Sequence, residues 1–274
     1  MAGVQVLVVS DSHLSPRTPE ANSNWDAVCD LAGGYDLVVH VGDLTLNGTE
    51  DPGELVHARR LLDALGVPWI AVPGNHDIGD NPGASERFTV TGDRLGHWID
   101  HIGPGHWSVE AGEWIVVGVN AQLFGSDLDE ETQQWAWLEN CLSRASGRPV
   151  VLVTHKPLTA DADELAAAPS YRFVPEPARS RLTASLDDVG SRLVLSGHVH
   201  QYRTLVEPER CHVWAPTTWA VLPERLQRTI GVKRSGVVRL RLGPDASFEA
   251  ELVEPTGLRQ FTLDEDIASP YESY

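Results

Sequence analysis

Asp11 and His13 place a carboxylate and an imidazole two positions apart, directly after the apolar run Val4–Val9. The branched side chains of that run predict a buried β-strand. In an extended chain, residues two positions apart point to the same side, so both polar groups are expected to face one point. A carboxylate oxygen and an imidazole nitrogen aimed at one point are typical ligands of a divalent cation. The short pattern is weak evidence by itself and gains weight only if other residues join it.

The sequence repeats this arrangement of an apolar run followed by polar residues. Polar residues stand at five predicted strand ends, which are Asp11/His13, Asp43, Asn75/His76/Asp77, His155 and His198/His200. Between the strands, apolar residues recur with helical spacing, for example over 54–65. Strands that alternate with helices predict an α/β fold, in which the chemistry lies beyond the carboxyl ends of the strands.

Length and composition are those of one globular domain. Of 274 residues, 42% are hydrophobic and 22% are charged, and neither a repeat nor a low-complexity linker divides them. We expect a single domain over 1–262 and an acidic, disordered tail over 263–274. The three cysteines are odd in number and far apart, which favours reduced thiols over a disulfide framework. The first apolar run is too short for a signal peptide core or a membrane span, so we expect a cytoplasmic protein.

The charge of the chain limits its partners. The formal net charge is −18, from 39 acidic and 21 basic residues, and Lys156 and Lys233 are the only lysines. No basic run is present to follow a nucleic-acid backbone, so we expect neither a nucleic-acid polymer nor a membrane as a partner. A small anionic substrate fits only if a local positive centre attracts it.

Taken in order, the motifs Asp-x-His, Gly-Asp-Leu, Gly-Asn-His-Asp, Thr-His and Gly-His-Val-His resemble those of the calcineurin-like metallophosphoesterase superfamily, over residues 11–200. Within it, the chain is most similar to bacterial class III cyclic nucleotide phosphodiesterases. The resemblance implies a metallo-dependent phosphatase-like fold. This fold is a four-layer α/β/β/α sandwich of two mixed β-sheets flanked by helices, with the site above the strand ends.

The resemblance also implies two metal ions that share one carboxylate. The first ion is expected to bind Asp11, His13, Asp43 and His200. The second ion is expected to bind Asp43, Asn75, His155 and His198. No cysteine lies in a motif, so the oxygen and imidazole ligands suit Mn, Fe or Zn, divalent or mixed-valence, without choosing among them. The positive charge of two divalent ions exceeds the negative charge of the two carboxylates, so the pocket is expected to attract a small anionic phosphate ester.

Residues beside the ligands have more than one interpretation. By the resemblance, His76 contacts the phosphate and helps the leaving oxygen depart, while Asp77 orients its ring. The alternative for His76 is a third ligand of the second ion. Asn75 is also expected to contact the substrate. Weaker candidates for a place near the site are His40, Asn120 and Trp219, of which His40 is better explained as a buried strand histidine.

The favoured function is hydrolysis of a small phosphodiester, such as a cyclic nucleotide, by attack of a metal-bridging hydroxide. A phosphomonoesterase acting on a small metabolite is the alternative, because Gly74–Gly79 suits a small phosphatase equally well. The purple acid phosphatase branch is disfavoured because its Gly-Asp-x-x-Tyr motif has a tyrosine where this chain has Leu46. A repair nuclease is disfavoured by the acidic surface. A non-catalytic scaffold of the same fold is a remote alternative, since every expected ligand is present.

Overall fold

Residues 3–84, 88–145, 147–167 and 170–268 are described by the computed structural model, and they form two β-sheets with helices on either side. The strands are β1 (Val4–Val9), β2 (Leu37–His40), β3 (Trp69–Ala71), β4 (Trp107–Ala111), β5 (Trp114–Gly118), β6 (Val150–Val153), β7 (Leu193–Ser196), β8 (Arg203–Val206), β9 (Cys211–Trp214), β10 (Val237–Leu242) and β11 (Phe248–Val253).

The helices lie between the strands in the chain. They are α1 (Pro19–Ala32), α2 (Pro52–Asp63), α3 (Asn75–Ile78), α4 (Gly92–His101), α5 (Asp129–Ser143), α6 (Ala162–Ala167) and α7 (Ala178–Asp188), with 3₁₀ turns at Ala121–Leu123 and Ser170–Arg172. Within the described residues, none of these helices has the length and apolar character needed to cross a bilayer.

Both sheets are mixed. The first has the strand order β11-β10-β1-β2-β3, in which β1, β2 and β3 are parallel, β10 is antiparallel to β1, and β11 is antiparallel to β10. The second has the order β4-β5-β6-β7-β9-β8, with antiparallel strands only at its two edges. Each sheet therefore contains neighbouring parallel strands whose carboxyl ends lie along one edge.

Alternation along the strands divides the apolar side chains between separate cores. Val6 and Val8 of β1 lie in the core between the two sheets, whereas Leu7 and Val9 pack against α1, α2 and α4. The outer face of the second sheet packs in the same way against α5 and α7. The layers follow the order helix, sheet, sheet, helix, so the predicted four-layer sandwich is confirmed.

Helix α1 begins earlier than the sequence pattern suggested. In the sequence, Pro16 and Pro19 predict a loop over 14–23 that is followed by a helix from about Trp25 to Ala32, whereas α1 begins at Pro19. Proline suits the first helical turn because its missing N–H has no partner to lose there. The start of this helix was predicted too late because Pro19 was interpreted only as a loop residue.

The end of the described chain packs against the loop that follows β9. Leu263 is buried, and its N–H donates to the Val221 carbonyl at 2.9 Å. Leu263 belongs to a small core that also contains Phe261 and Trp219. Residues 269–274 lie outside the described residues, so the domain boundary after 262 and the disorder of the tail stay predictions.

Candidate metal centre

The carboxyl ends of the parallel strands bring the predicted ligands to one place. From the first sheet come Asp11 and His13 after β1, Asp43 after β2, and Asn75 at the start of α3. From the second sheet come His155 after β6, and His198 and His200 after β7. Because these ends of the two packed sheets share an edge, side chains far apart in the chain become neighbours there.

The first group consists of Asp11, His13 and His200, whose ligand atoms lie within 4.8 Å of one another. Nε2 of His200 lies 3.2 Å from Oδ1 of Asp11 and 3.2 Å from Nε2 of His13. Two imidazole nitrogens this close to each other and to a carboxylate can share a cation.

The second group consists of Asp43, His155 and His198, with the same close spacing. Nε2 of His155 lies 3.2 Å from Oδ2 of Asp43 and 3.2 Å from Oδ1 of Asn75. Asp43 also groups with His13 on the other side. Its carboxylate is thus placed between the two sets, and its bridging of two ions stays a prediction.

Main-chain carbonyls fix the orientation of two rings. Nδ1 of His155 lies 2.9 Å from the Val41 carbonyl, and Nδ1 of His200 lies 2.8 Å from the Ala220 carbonyl. A carbonyl only accepts, so each Nδ1 carries a hydrogen and donates it. In the neutral ring, Nε2 then offers its lone pair to the site, which is the tautomer that a metal-binding histidine needs.

The buried carboxylates of Asp11 and Asp43 favour positive charge at this edge of the sheets. Burial alone would lower the pKa of His155, but the Asp43 carboxylate outweighs burial and raises the pKa to about 9. Burial also opposes a charge on His200, yet the Asp11 carboxylate raises its pKa. Oδ1 of Asp11 is buried, and Nε2 of His200 lies 3.2 Å from it. A position that favours positive charge beside such an oxygen suits a divalent ion, so the residues fit the implied centre.

Five of the predicted ligands have a left-handed backbone: φ is 49° at Asp11, 46° at His13, 54° at Asp43, 67° at His198 and 56° at His200. The prediction that the Asp-x-His residues converge because the chain is extended is therefore wrong. Strand β1 ends at Val9, and the left-handed bends after it direct the two side chains. Such residues carry strain, on the order of 1–3 kcal/mol each, and strain of this kind is concentrated at functional sites.

Glycines next to the ligands permit their close approach. A Cβ atom on Gly74 would collide with the Asp43 carboxylate and main chain, and one on Gly42 would collide with the His155 ring. Gly42 also has φ 103°, a conformation that other residues rarely adopt. The glycines of the Gly-Asp and Gly-Asn motifs are therefore a packing requirement of the centre.

Asp77 has a different role from the predicted one. Its oxygens accept hydrogen bonds from the N–H groups of Leu44, Thr45 and Gly74 and from the Thr45 hydroxyl. Nδ1 of His76 instead faces the Leu46 carbonyl at 2.8 Å, so the prediction that Asp77 orients this ring is wrong. Burial and the Asp43 carboxylate raise the pKa of Asp77 to about 6. Its hydrogen bonds hold the turn after β2 against the turn after β3.

Partly exposed residues mark the open side of the centre. Asn75, His76 and His198 are half-buried, whereas Asp11, His13, Asp43, His155 and His200 are buried. The predicted substrate contacts of Asn75 and His76 require an approach from this side. A ligand atom of His76 also lies within 4.8 Å of those of His13 and Asp43, so both interpretations of His76 stay predictions.

Asn120 and Trp219 are both buried. Asn120 is fully buried, and its Oδ1 accepts a hydrogen bond from the Gln122 N–H at 3.0 Å. Trp219 is also buried, with its ring 5.1 Å from the ring of His13. Neither side chain is exposed to a substrate in this structure, and Trp219 supports a ligand by packing against it.

Sequence reasoning missed the contacts that His40 makes. Its Nδ1 accepts a hydrogen bond from the Gly42 N–H at 3.3 Å, and its Nε2 lies 2.7 Å from Oγ of Ser12. Burial lowers the pKa of His40 to about 3, so the ring is neutral and Nε2 donates to Ser12. His40 therefore joins the turn that carries Asp11 to the turn that carries Asp43. The available signal was its position two residues before Gly42.

Comparison with known proteins agrees with the motifs. A family model described as calcineurin-like phosphoesterase matches residues 4–202, a range that contains all the predicted ligands. The probable glycerophosphodiester phosphodiesterase GpdQ of Arcobacter nitrofigilis is 26% identical over 213 residues, which are 73% of this chain and 72% of that protein. A probable cyclic nucleotide phosphodiesterase of Psychrobacter arcticus is 24% identical over 223 residues, 73% of this chain and 75% of that protein.

Acid phosphatases are also similar. Acid phosphatase type 7 of Mus musculus is 29% identical over 150 residues, 48% of this chain, and the match spans about a third (32%) of that relative. Among solved structures, purple acid phosphatase PPD1 from yellow lupin superposes with a TM-score of 0.68 at 16% identity, over 96% of this chain and 54% of that one. A dimetal phosphatase from Danio rerio superposes with a TM-score of 0.63 at 15% identity, over 93% of this chain and 98% of that one. These structural likenesses confirm the fold.

Replacing Asp43 by asparagine tests the shared carboxylate. We expect the wild-type chain to hold about two Mn²⁺ ions and Asp43→Asn to hold fewer than one, because both groups lose a ligand. Metal content after gel filtration measures this. Asp63→Asn, which removes an exposed carboxylate paired with Arg59, is the control. Unchanged metal content in Asp43→Asn would contradict the shared position.

A methyl group at position 74 tests the packing argument. Gly74→Ala pushes against the Asp43 carboxylate, so we expect Mn²⁺ to bind about 10–100-fold more weakly. Gly33→Ala is the matched control, because a Cβ there meets no atom within 4 Å. Titration of the metal-free proteins by calorimetry measures both. Equal affinities for the two variants would show that the close approach is not required.

Proposed function

The chain belongs to the calcineurin-like phosphoesterase family, and we propose that it is a dinuclear metal-dependent phosphoesterase that hydrolyses a small phosphodiester, with a cyclic nucleotide as the favoured substrate. The observation that carries the proposal is the place of Asp43 between two ligand groups. Two ions on either side of one carboxylate are the arrangement that phosphate-ester hydrolysis uses.

Each of the two ligand groups would hold one ion. When bound, divalent ions would supply the Lewis acidity and the activated water that attack on phosphorus needs. The chain supplies oxygen and imidazole ligands without a thiolate, which suits Mn, Fe or Zn. The buried ligands hold their positions because carbonyls orient the rings and glycines allow the close packing.

Asn75 and His76 are the residues placed to contact the substrate. Oδ1 of Asn75 faces His155, which leaves its amide nitrogen to donate to a phosphate oxygen. Nδ1 of His76 donates to the Leu46 carbonyl, so Nε2 is the atom that can hold a proton for the departing oxygen. Both residues are half-buried at the open side of the centre.

The acidic surface limits the substrate to a small anion. A polyanion is repelled by a chain with net charge −18, whereas a small ester needs to reach only the positive centre. A diester is favoured because the two phosphodiesterase relatives match over about three quarters of each protein (72% and 75%). The alternative of a phosphomonoesterase is supported by the higher identity, 29%, to an acid phosphatase over a shorter range.

A substrate panel tests the proposed reaction. With Mn²⁺ present, we expect kcat/KM for cyclic AMP or bis(4-nitrophenyl) phosphate to exceed that for 4-nitrophenyl phosphate by at least about tenfold, because a diester fits the proposed specificity. Initial rates on each substrate measure this, with the Asp43→Asn protein as the blank. A preference for the monoester would favour the alternative, and no turnover of any ester would contradict the proposal.

His76→Ala tests the proposed proton donor. We expect kcat to fall by about 10²–10⁴-fold, because a general acid is lost, while the bound metal content stays unchanged. Steady-state kinetics and metal analysis of the same preparation separate the two effects. His57→Ala removes a half-buried histidine from α2 as the control. Loss of an ion from His76→Ala would show instead that His76 is a metal ligand.

A further inference from the structure

A buried lysine lies directly behind the second ligand group. Lys156 follows His155, and it is fully buried. Its ammonium group donates to Oδ1 of Asp80, and to Oδ1 of Asn81 at 2.6 Å. Asp80 and Asn81 are themselves buried, and they follow α3, the helix that begins with Asn75. The ammonium therefore joins the end of β6 to the segment after β3.

The two acceptors extend this connection to other parts of the edge. The Asp80 carbonyl accepts a hydrogen bond from the Val90 N–H at 2.8 Å. The Asn81 amide nitrogen donates to the carbonyls of Ala121 at 2.8 Å and Phe124 at 2.9 Å, in the turn that follows β5. Lys156 is consequently the centre of a network that reaches three strand ends.

Stability alone gives a poor account of this ion pair. Transfer of a carboxylate and an ammonium group from water into the protein interior carries a desolvation cost, and apolar side chains of similar volume often pack at least as stably. A buried pair whose hydrogen bonds are made does, however, hold its partners in one geometry. The pair lies between two elements that each supply a predicted ligand, α3 with Asn75 and the end of β6 with His155, so its geometry affects the relative position of those two ligands.

We propose that Lys156 is a positioning residue for the second ion. Through Asp80 and Asn81 it fixes α3 relative to the end of β6, and so fixes Asn75 relative to His155. These two ligands lie 3.2 Å apart, between Oδ1 and Nε2, and belong to different sheets. The inference rests on the proposed two-metal centre but not on any particular substrate.

Calorimetric titration of the metal-free protein with Mn²⁺ tests the role of Lys156. Lys156→Met keeps an unbranched side chain that is one atom shorter and removes its charge, and Asp80→Asn keeps the shape of its partner. We expect both variants to bind the first ion as the wild type does and the second about 10–100-fold more weakly, as is typical when an outer contact of a metal site is lost. The double variant should be no weaker than Lys156→Met, because the two side chains act as one unit.

The control is the other lysine of the sequence. Lys233 pairs with Glu224 at 3.1 Å on the loop after β9, so Lys233→Met removes a lysine without touching the ligands. We expect it to bind both ions as the wild type does. Circular dichroism checks that each protein is folded, and if Lys156→Met does not fold, Asp80→Asn carries the comparison.

Three outcomes would contradict the proposal. Folded variants that bind both ions with wild-type affinity would show that Lys156 is structural only, even if their melting temperatures fall. Equal weakening of both ions would show general damage to the site rather than positioning of the second ion. A wild-type protein that binds fewer than two ions would contradict the proposed function itself, whereas the first two outcomes leave that function intact.

Discussion

Two carboxylates, Asp11 and Asp43, are buried beside imidazole nitrogens at 3.2 Å, and the rest of the centre depends on how that charge is compensated. A buried carboxylate without a positive partner is strongly destabilising. Here the neighbouring rings are turned by main-chain carbonyls so that Nε2 faces inward, which leaves a cation as the natural partner. A net negative charge on the chain and the proposed binding of cations at this centre are therefore compatible.

The scaffold makes this arrangement possible by holding a strained backbone. Five of the predicted ligands have positive φ, and each follows a strand whose side chains pack between layers. The cores on both faces of each sheet stabilise the strands, so the strain is confined to the bends after them. Asp77 and His40 then join neighbouring bends through hydrogen bonds. Lys156, which follows β6 of the second sheet, makes a similar connection to Asp80.

The motifs at strand ends, through the family resemblance that they carry, were sufficient to predict the four-layer fold and which side chains meet at one edge of the sheets, whereas the binding of metal by those side chains stays a prediction. Short apolar runs marked the strands, and the order of the motifs indicated the family. The local backbone was not predictable, because an Asp-x-His pair reads the same in an extended and in a left-handed chain. The carbonyl partners of the His155 and His200 rings could not be predicted for another reason, since every residue has a main-chain carbonyl. The contact between Lys156 and Asp80 depends on how the sheets pack, which no local pattern encodes.

The central claim is that two ions bind side by side around Asp43. Anomalous diffraction from crystals of the wild-type protein grown with Mn²⁺ tests it most directly. The account predicts two peaks of anomalous density, about 3.5–4 Å apart, on either side of the Asp43 carboxylate. A single peak, or peaks that do not touch this carboxylate, would contradict the account.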